Sequence, residues 1–244
     1  MQCLILAGGL ATRLRPVTET MAKAVVPVAG RPFAEYQLEW LARAGVTDVV
    51  YAIGFLGEQV RTALGDGSRF GLSVRYVDEG ENLLGTGGAV RLAYDEGVLG
   101  PAFLILYGDS YLTYDPGRAW REFERRKPAA LMTVYRNEGR LEPSNAQLSG
   151  EMVVRYDKRA SDPLSEGMHH IDYGLSVLDR DAVLPEIPAG EVVDLADVYT
   201  ELSRQGRLAG LEVSERFYEI GSPQGLAELE ALLGPGSGPE ESPA

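Results

Sequence analysis

Through its first 135 residues the chain alternates short apolar runs with segments of helical spacing. The first run, Cys3 to Ala7, ends in Gly8-Gly9. Pro32 then opens a segment in which Phe33, Tyr36, Gln37, Trp40, Leu41 and Ala44 recur at helical intervals. All but Gln37 are apolar, which gives one buried face, and Gly45 closes the segment. Asp48–Ile53, Leu72–Val77, Phe103–Tyr107 and Ala130–Tyr135 read as buried strands. Between them, helices are expected over Glu58–Leu64, about Thr86–Tyr94 and Arg118–Arg126. Such alternation predicts an α/β fold: a Rossmann-like mixed, mostly parallel sheet with helices on both faces. The second half is less regular, with strands expected at Met152–Tyr156, Ile171–Leu178 and Leu208–Val213 and helices near Leu195–Arg204 and Gln224–Leu233.

A length of 244 residues suits one large domain of this class. An apolar share of 45% with 24% charged residues excludes disorder of the whole chain. The final stretch, Gly234 to Ala244, is rich in Gly, Pro, Ser and Glu and is expected to be a disordered tail. No hexapeptide repeat follows residue 220, so no β-helix domain is expected. The one cysteine, Cys3, allows neither an intramolecular disulfide nor a cysteine zinc site. The opening apolar run is too short to span a membrane and lacks the basic flank of a signal peptide, so a cytoplasmic location is expected. A net charge of −13 argues against nucleic-acid binding. Within residues 1–31, however, Arg13, Arg15, Lys23 and Arg31 face only Glu19, a local charge of +3 that suggests an anion site.

Three motifs sit where open α/β sheets bind ligands, just past a strand. The first is Leu6-Ala7-Gly8-Gly9-Leu10-Ala11-Thr12-Arg13-Leu14-Arg15-Pro16. Two adjacent glycines let backbone N–H groups approach phosphate oxygens, and Arg13 adds a planar cation suited to pyrophosphate. It matches neither the Walker A loop nor the dinucleotide fingerprint. An ordinary strand-to-helix turn is the alternative. Lys23 stands in an apolar stretch, where an ammonium needs an anionic partner unless it reaches solvent. The second motif is Gly85-Thr86-Gly87-Gly88-Ala89, preceded by Glu79 and Glu81. Its glycines could hold a flat base or only pack a helix. The two glutamates could accept hydrogen bonds from guanine or cytosine, or merely face solvent. The third is Tyr107-Gly108-Asp109, whose carboxylate suits Mg²⁺, with an N-cap aspartate as the alternative. His169 and His170 are adjacent, not at metal-pair spacing, and are expected to be structural or loop residues.

The string LAGGLATRLRPVTETMAKAVVPVAGRPF resembles the signature of sugar-phosphate nucleotidyltransferases, and GTGGA and YGDSYL are similar to that family's later motifs. YDKR, MHHIDYGL and FYEIGSP resemble the D-glycero-D-manno-heptose 1-phosphate guanylyltransferases within it. The resemblance covers about residues 1–233, read as one domain with a nucleotide half to about 110 and a sugar-phosphate half from about 111. The motifs and the resemblance together give a nucleotide site of Leu6, Ala7, Gly8, Gly9, Leu10, Ala11, Thr12, Arg13, Lys23, Glu79, Gly85, Thr86, Gly108 and Asp109. On the sugar-phosphate side the resemblance implies Tyr107, Asn145, Lys158, Asp172 and Gly174. Arg13, Lys23, Asp109 and Lys158 would be catalytic, and Asp109 and Glu219 would bind Mg²⁺. Three departures stand out: Ala11-Thr12-Arg13 replaces the commoner Gly-Thr-Arg, Glu219 replaces an Asp, and Asp157-Lys158-Arg159 replaces Glu-Lys-Pro.

The implied reaction joins a nucleoside triphosphate, GTP foremost, to a heptose or mannose 1-phosphate and releases pyrophosphate. UTP or CTP with another sugar or alcohol phosphate is the alternative. A non-catalytic nucleotide-sugar sensor or regulatory subunit is the alternative of another class. The expected partners are the two substrates, with no nucleic acid, no membrane and a small homo-oligomer as default.

Overall fold

A computed structural model describes residues 1–80 and 82–234. Glu81 and the tail residues 235–244 lie outside the described residues. The strands are β1 (Gln2–Leu6), β2 (Pro27–Val28), β3 (Arg31–Pro32), β4 (Asp48–Ile53), β5 (Ser73–Asp78), β6 (Ala102–Tyr107), β7 (Ser110–Tyr111), β8 (Ala130–Arg136), β9 (Ala146–Ser149), β10 (Met152–Tyr156), β11 (His170–Asp179), β12 (Leu208–Val213) and β13 (Tyr218–Glu219). The helices are α1 (Phe33–Arg43), α2 (Gly57–Leu64), α3 (Gly85–Asp95), α4 (Pro116–Arg126), α5 (Arg180–Val183), α6 (Leu195–Arg204) and α7 (Pro223–Leu233).

Nine strands form one mixed sheet in the order β5-β4-β1-β6-β11-β8-β12-β10-β9. The β5-β4-β1-β6 half is parallel throughout. β11 runs antiparallel to both β6 and β8 and joins that half to the rest. Beyond it only β12 and β8 pair in parallel; β10 is antiparallel to β12 and to β9.

Both faces are covered, which explains the near-continuous apolar strands. Cys3 and Ile5 point to the face packed by α1, α2 and α4; Leu4 and Leu6 point to the face packed by α3, α5 and α6. A smaller cluster of Val28, Phe33, Ile220 and Leu229 seats α7 against the β2–β3 hairpin. No helix among the described residues is long and apolar enough to cross a membrane.

The sheet order sets the site. β1 has β4 on one side and β6 on the other, and the chain winds outward in opposite directions from that junction. This is the topological switch point at which open α/β sheets leave a crevice beyond the carboxyl ends of the strands. The Gly8-Gly9 loop leaves β1 there and the Gly108-Asp109 turn leaves β6 there. Gly108 donates its N–H to the Leu6 carbonyl at 2.9 Å, and a Cβ on Gly108 would lie 2.7 Å from that of Ala7. Glycine is therefore required for the two turns to close together.

Candidate active site

Two cavities meet at this switch point. The first, of about 250 Å³, is lined by Leu6 at the end of β1 and Ala7, Gly8, Gly9 and Ala11 of the first loop, with Lys23, Glu79, Gly85, Thr86, Gly108 and Asp109. Leu10, Thr12 and Arg13 do not line it. The second, of about 230 Å³, is lined by Arg13, Asn145, Lys158, Asp172, Gly174 and Glu219. Tyr107 and Asp109 line both. His169 and His170 line neither; His170 opens β11 and is buried.

The first loop is shaped by one left-handed residue, a short 3-10 turn over Thr12–Leu14 and a side-chain hydrogen bond. Ala11 adopts left-handed backbone angles (φ 48°, ψ 44°) and accepts a hydrogen bond from Thr18 Oγ1 at 2.8 Å. A Cβ on Gly8 would lie 2.2 Å from Glu79 Oε1, so that glycine makes room for the glutamate. Glu79 is half-buried and its Oε2 accepts the Leu84 N–H at 2.7 Å. Burial pushes its carboxyl above the ordinary range, against the pull of that N–H.

The glycines of the second motif serve packing. Gly87 and Gly88 donate their N–H groups to the Val193 carbonyl at 2.8 and 3.2 Å, and a Cβ on Gly85 would lie 2.6 Å from the same oxygen. Thr86 Oγ1 donates to Asp194 Oδ1 at 3.0 Å and accepts the Leu195 N–H at 2.8 Å. The motif thus docks the start of α3 on the start of α6, and Gly85 and Thr86 still face the first cavity.

At the junction, Lys23 Nζ lies 2.7 Å from Asp109 Oδ2. β13 pairs with β7, which puts Glu219 opposite Ser110 and beside Asp109. Glu219 Oε1 accepts from Ser222 Oγ at 2.6 Å, and its Oε2 accepts the Gly221 N–H. A Cβ on Gly221 would lie 3.0 Å from Arg13 Nη2 and 3.1 Å from Lys23 Nζ. Arg13, Lys23 and Glu219 therefore converge on one glycine. Arg13 also pairs with Glu142 at 3.3 Å at the exposed rim.

In the second cavity, Asp172 Oδ1 accepts the Gly174 N–H at 2.9 Å, with Gly174 at φ +93°, and Asn145 Oδ1 accepts the Asp172 N–H at 2.9 Å. Burial pushes the Asp172 carboxyl up to about 6. Lys158 Nζ lies 4.0 Å from Asp194 Oδ2. Burial opposes the charge on Asp194, but the Ala196 N–H, Lys158 and Thr86 outweigh it and hold the carboxyl below its ordinary range.

Sequence reasoning missed Gln37, Glu142 and Asp194, and marked Gly221 only as part of the string FYEIGSP. Gln37 had a signal, as the polar exception in an apolar helical stripe. It is fully buried, and its Nε2 donates to the Tyr107 and Ser110 carbonyls at 3.0 and 2.8 Å, clamping the turn that carries Asp109. Tyr51 OH donates to its Oε1 at 3.2 Å.

Comparison with known proteins identifies a family and related folds. The sequence model of the family described as "Nucleotidyl transferase" matches residues 2–144. The chain is 36% identical over 238 residues to a glucose-1-phosphate thymidylyltransferase of Streptomyces griseus, covering 96% of this chain and 66% of that protein. It is thus just short of two thirds of that relative's length. It is 29% identical over 236 residues to an N-acetylmuramate alpha-1-phosphate uridylyltransferase of Neisseria meningitidis serogroup B, covering 96% of this chain and 99% of that one. A crystal structure of a putative glucose-1-phosphate thymidylyltransferase from Bacillus anthracis superposes with a TM-score of 0.82 at 22% identity, over 95% of this chain and 94% of that one. The chain belongs to the nucleotidyl transferase family.

Proposed function

We propose that the protein joins a nucleoside triphosphate to a sugar 1-phosphate, giving a nucleotide-diphospho-sugar and pyrophosphate. The observation that carries this reading is the pair of cavities sharing Tyr107 and Asp109, with Lys23 on one wall and Lys158 on the other. Two anionic substrates would meet at that shared edge. An oxygen of the sugar phosphate forms the new bond to the α-phosphorus, and the bond from that phosphorus to the departing pyrophosphate breaks. The nucleophile is already anionic at neutral pH, so no general base is needed. Catalysis then rests on positioning and charge neutralisation.

Lys23 would leave Asp109 for the triphosphate, Arg13 would leave Glu142 for the reacting phosphates, and Lys158 would hold the sugar phosphate. Tyr107, Asn145, Asp172 and Gly174 would face the sugar. Asp109, in the turn just before β7, and Glu219, on the paired strand β13, are hard oxygen donors that line the same cleft. They suit Mg²⁺, which takes one or two carboxylates and completes its shell with phosphate oxygens and water. Bound there, Mg²⁺ would supply positive charge against the triphosphate.

The base we assign is guanine and the sugar heptose or mannose. Glu79 is the support: a half-buried carboxylate lining the first cavity matches the paired donors on guanine, whereas uracil and thymine offer one donor on that edge. The names of the Streptomyces and Neisseria relatives favour a second reading, thymidylyl or uridylyl transfer.

Thermal unfolding with Mg²⁺ and each of GTP, UTP, CTP, dTTP and ATP separates these readings. Ligand at about 100 times its dissociation constant stabilises by about 2.7 kcal/mol, or roughly 5–10 °C for a domain of this size. A shift with GTP alone supports guanylyl transfer, to be followed by pyrophosphate release with mannose and heptose 1-phosphates. A shift with dTTP or UTP instead overturns the guanine assignment.

A further inference from the structure

The loop that carries Lys158 is fastened to the first turn of α6. Arg159 Nη1 and Nη2 donate to the two carboxylate oxygens of Asp197 at 2.9 and 3.2 Å, and Arg159 N donates to Asp157 Oδ1 at 2.9 Å. Thr200 Oγ1 donates to the Tyr156 carbonyl at 3.1 Å, just before the loop. Between these two fastenings Lys158 Nζ faces Asp194 Oδ2. The other oxygen of Asp194 accepts from Thr86 Oγ1 and from the Ala196 N–H, each at 3.0 Å. One carboxylate therefore touches a wall of the first cavity with one oxygen and the lysine of the second with the other.

These pairs are poorly placed to stabilise the fold. The Arg159 and Asp197 side chains are 74% and 52% exposed, and exposed pairs contribute little to stability. A bidentate guanidinium–carboxylate fork does fix geometry. It restrains the backbone on either side of a long, otherwise free lysine stem.

We propose that Asp194, Asp197 and Arg159 are positioning residues that aim Lys158 at the phosphate of the sugar substrate. Asp194 ties that aim to the nucleotide cavity through Thr86. The proposal rests on the reading of Lys158 as the sugar-phosphate cation. Arg159 and Asp197 line neither cavity and act through the lysine.

The chain contains three lysines, Lys23, Lys127 and Lys158. Reductive ¹³C-methylation gives each a separable NMR signal, assigned with Lys→Arg variants. Lys23 then reports on UTP or GTP with Mg²⁺, and Lys158 reports on glucose 1-phosphate or mannose 1-phosphate. In Asp197→Asn and Asp194→Asn we expect the sugar-phosphate midpoint at Lys158 to rise about three- to fivefold, near the limit for an exposed pair. The triphosphate midpoint at Lys23 stays unchanged, because the amide introduced by Asp194→Asn keeps an oxygen for Thr86. The charge swap Arg159→Asp with Asp197→Arg restores the wild-type midpoint. Added salt raises the wild-type value towards that of the variants.

A Lys158 signal that ignores both sugar phosphates overturns the reading of Lys158 and the inference with it. A Lys158 signal that responds with the same midpoint in every variant overturns the inference alone. Equal shifts at Lys23 and Lys158 would mark a general loosening of the fold and overturn it too.

Discussion

The ammonium of Lys23 and the carboxylate of Asp109 meet at 2.7 Å where the two cavities join, bringing together residues 86 positions apart. Each side chain is mostly withdrawn from water, at 17% and 30% exposure. The pair keeps the charge of the site balanced until a polyanion arrives. Asp109→Asn leaves an oxygen for Lys23 but removes the negative charge. Turnover is expected to fall about 10²-fold or more, the scale of one transition-state charge contact. The melting temperature falls by only a few degrees. Steady-state pyrophosphate release and thermal unfolding on the same preparation check this; normal turnover would remove Asp109 from the reaction centre.

Ala11 sits at φ 48°, a region that costs an L-residue roughly 1–2 kcal/mol. The commoner glycine of the resembling signature has a physical reason at this position. Ala11→Gly relieves that strain but adds freedom to the unfolded chain. The net expectation is a gain of about 0.5–1 kcal/mol, and a gain of 1 kcal/mol is roughly 2–4 °C in melting temperature for a domain of this size. Calorimetry decides it, and a lower melting temperature would mean that the loop is not strained at Ala11.

Gln37→Leu keeps the volume of the side chain and deletes its hydrogen bonds to Tyr107, Ser110 and Tyr51. Buried carbonyls left without donors cost about 1–3 kcal/mol each. A loss of about 2–4 kcal/mol by denaturant unfolding is expected, with turnover depressed further than folding alone explains. Wild-type turnover in the folded fraction would argue that the Asp109 turn needs no clamp.

The regular part of the fold was legible because burial on two sheet faces writes itself as apolar runs. Asp48–Ile53, Met152–Tyr156, Leu208–Val213 and Leu195–Arg204 have the boundaries read from the sequence. The short strands β7, β9 and β13 were not legible. Two to four residues carry no period, and their pairing partners are remote, as with Glu219 opposite Ser110. The same distance problem hid Asp194. Nothing near it in the chain reports its contact with Thr86, 108 residues away. The first loop and Asp109 were legible because a strand end followed by glycines or a carboxylate has few uses. The glycines of the second motif turned out to pack against Val193 as well as to face the cavity, and sequence alone left both open.

Burial pushes Asp172 up to about 6 from an ordinary 3.8. The folded protein then holds this proton to higher pH than the unfolded chain does. Between about pH 4 and 6 the native state binds more protons, so stability attributable to Asp172 falls as pH rises and is lowest above about 6. Asp172→Asn removes the ionisation. The stability of the variant minus that of wild type is expected to grow by about 1–3 kcal/mol from pH 4 to pH 7. Denaturant unfolding across that range checks the sign, and a difference that is flat or shrinks would place the carboxyl in a wetter environment.

Among the described residues the two cavities share only Tyr107 and Asp109 in their linings, and both are built on one continuous sheet. Glu79 and Gly85 lie on one side of that edge, Asn145 and Asp172 on the other. A change of base preference and a change of sugar preference would therefore be nearly independent edits whose free energies add. Variants selected separately for each substrate could be recombined in one chain without a new search. Asp194, which contacts Thr86 with one oxygen and Lys158 with the other, is the side chain that such edits should leave in place.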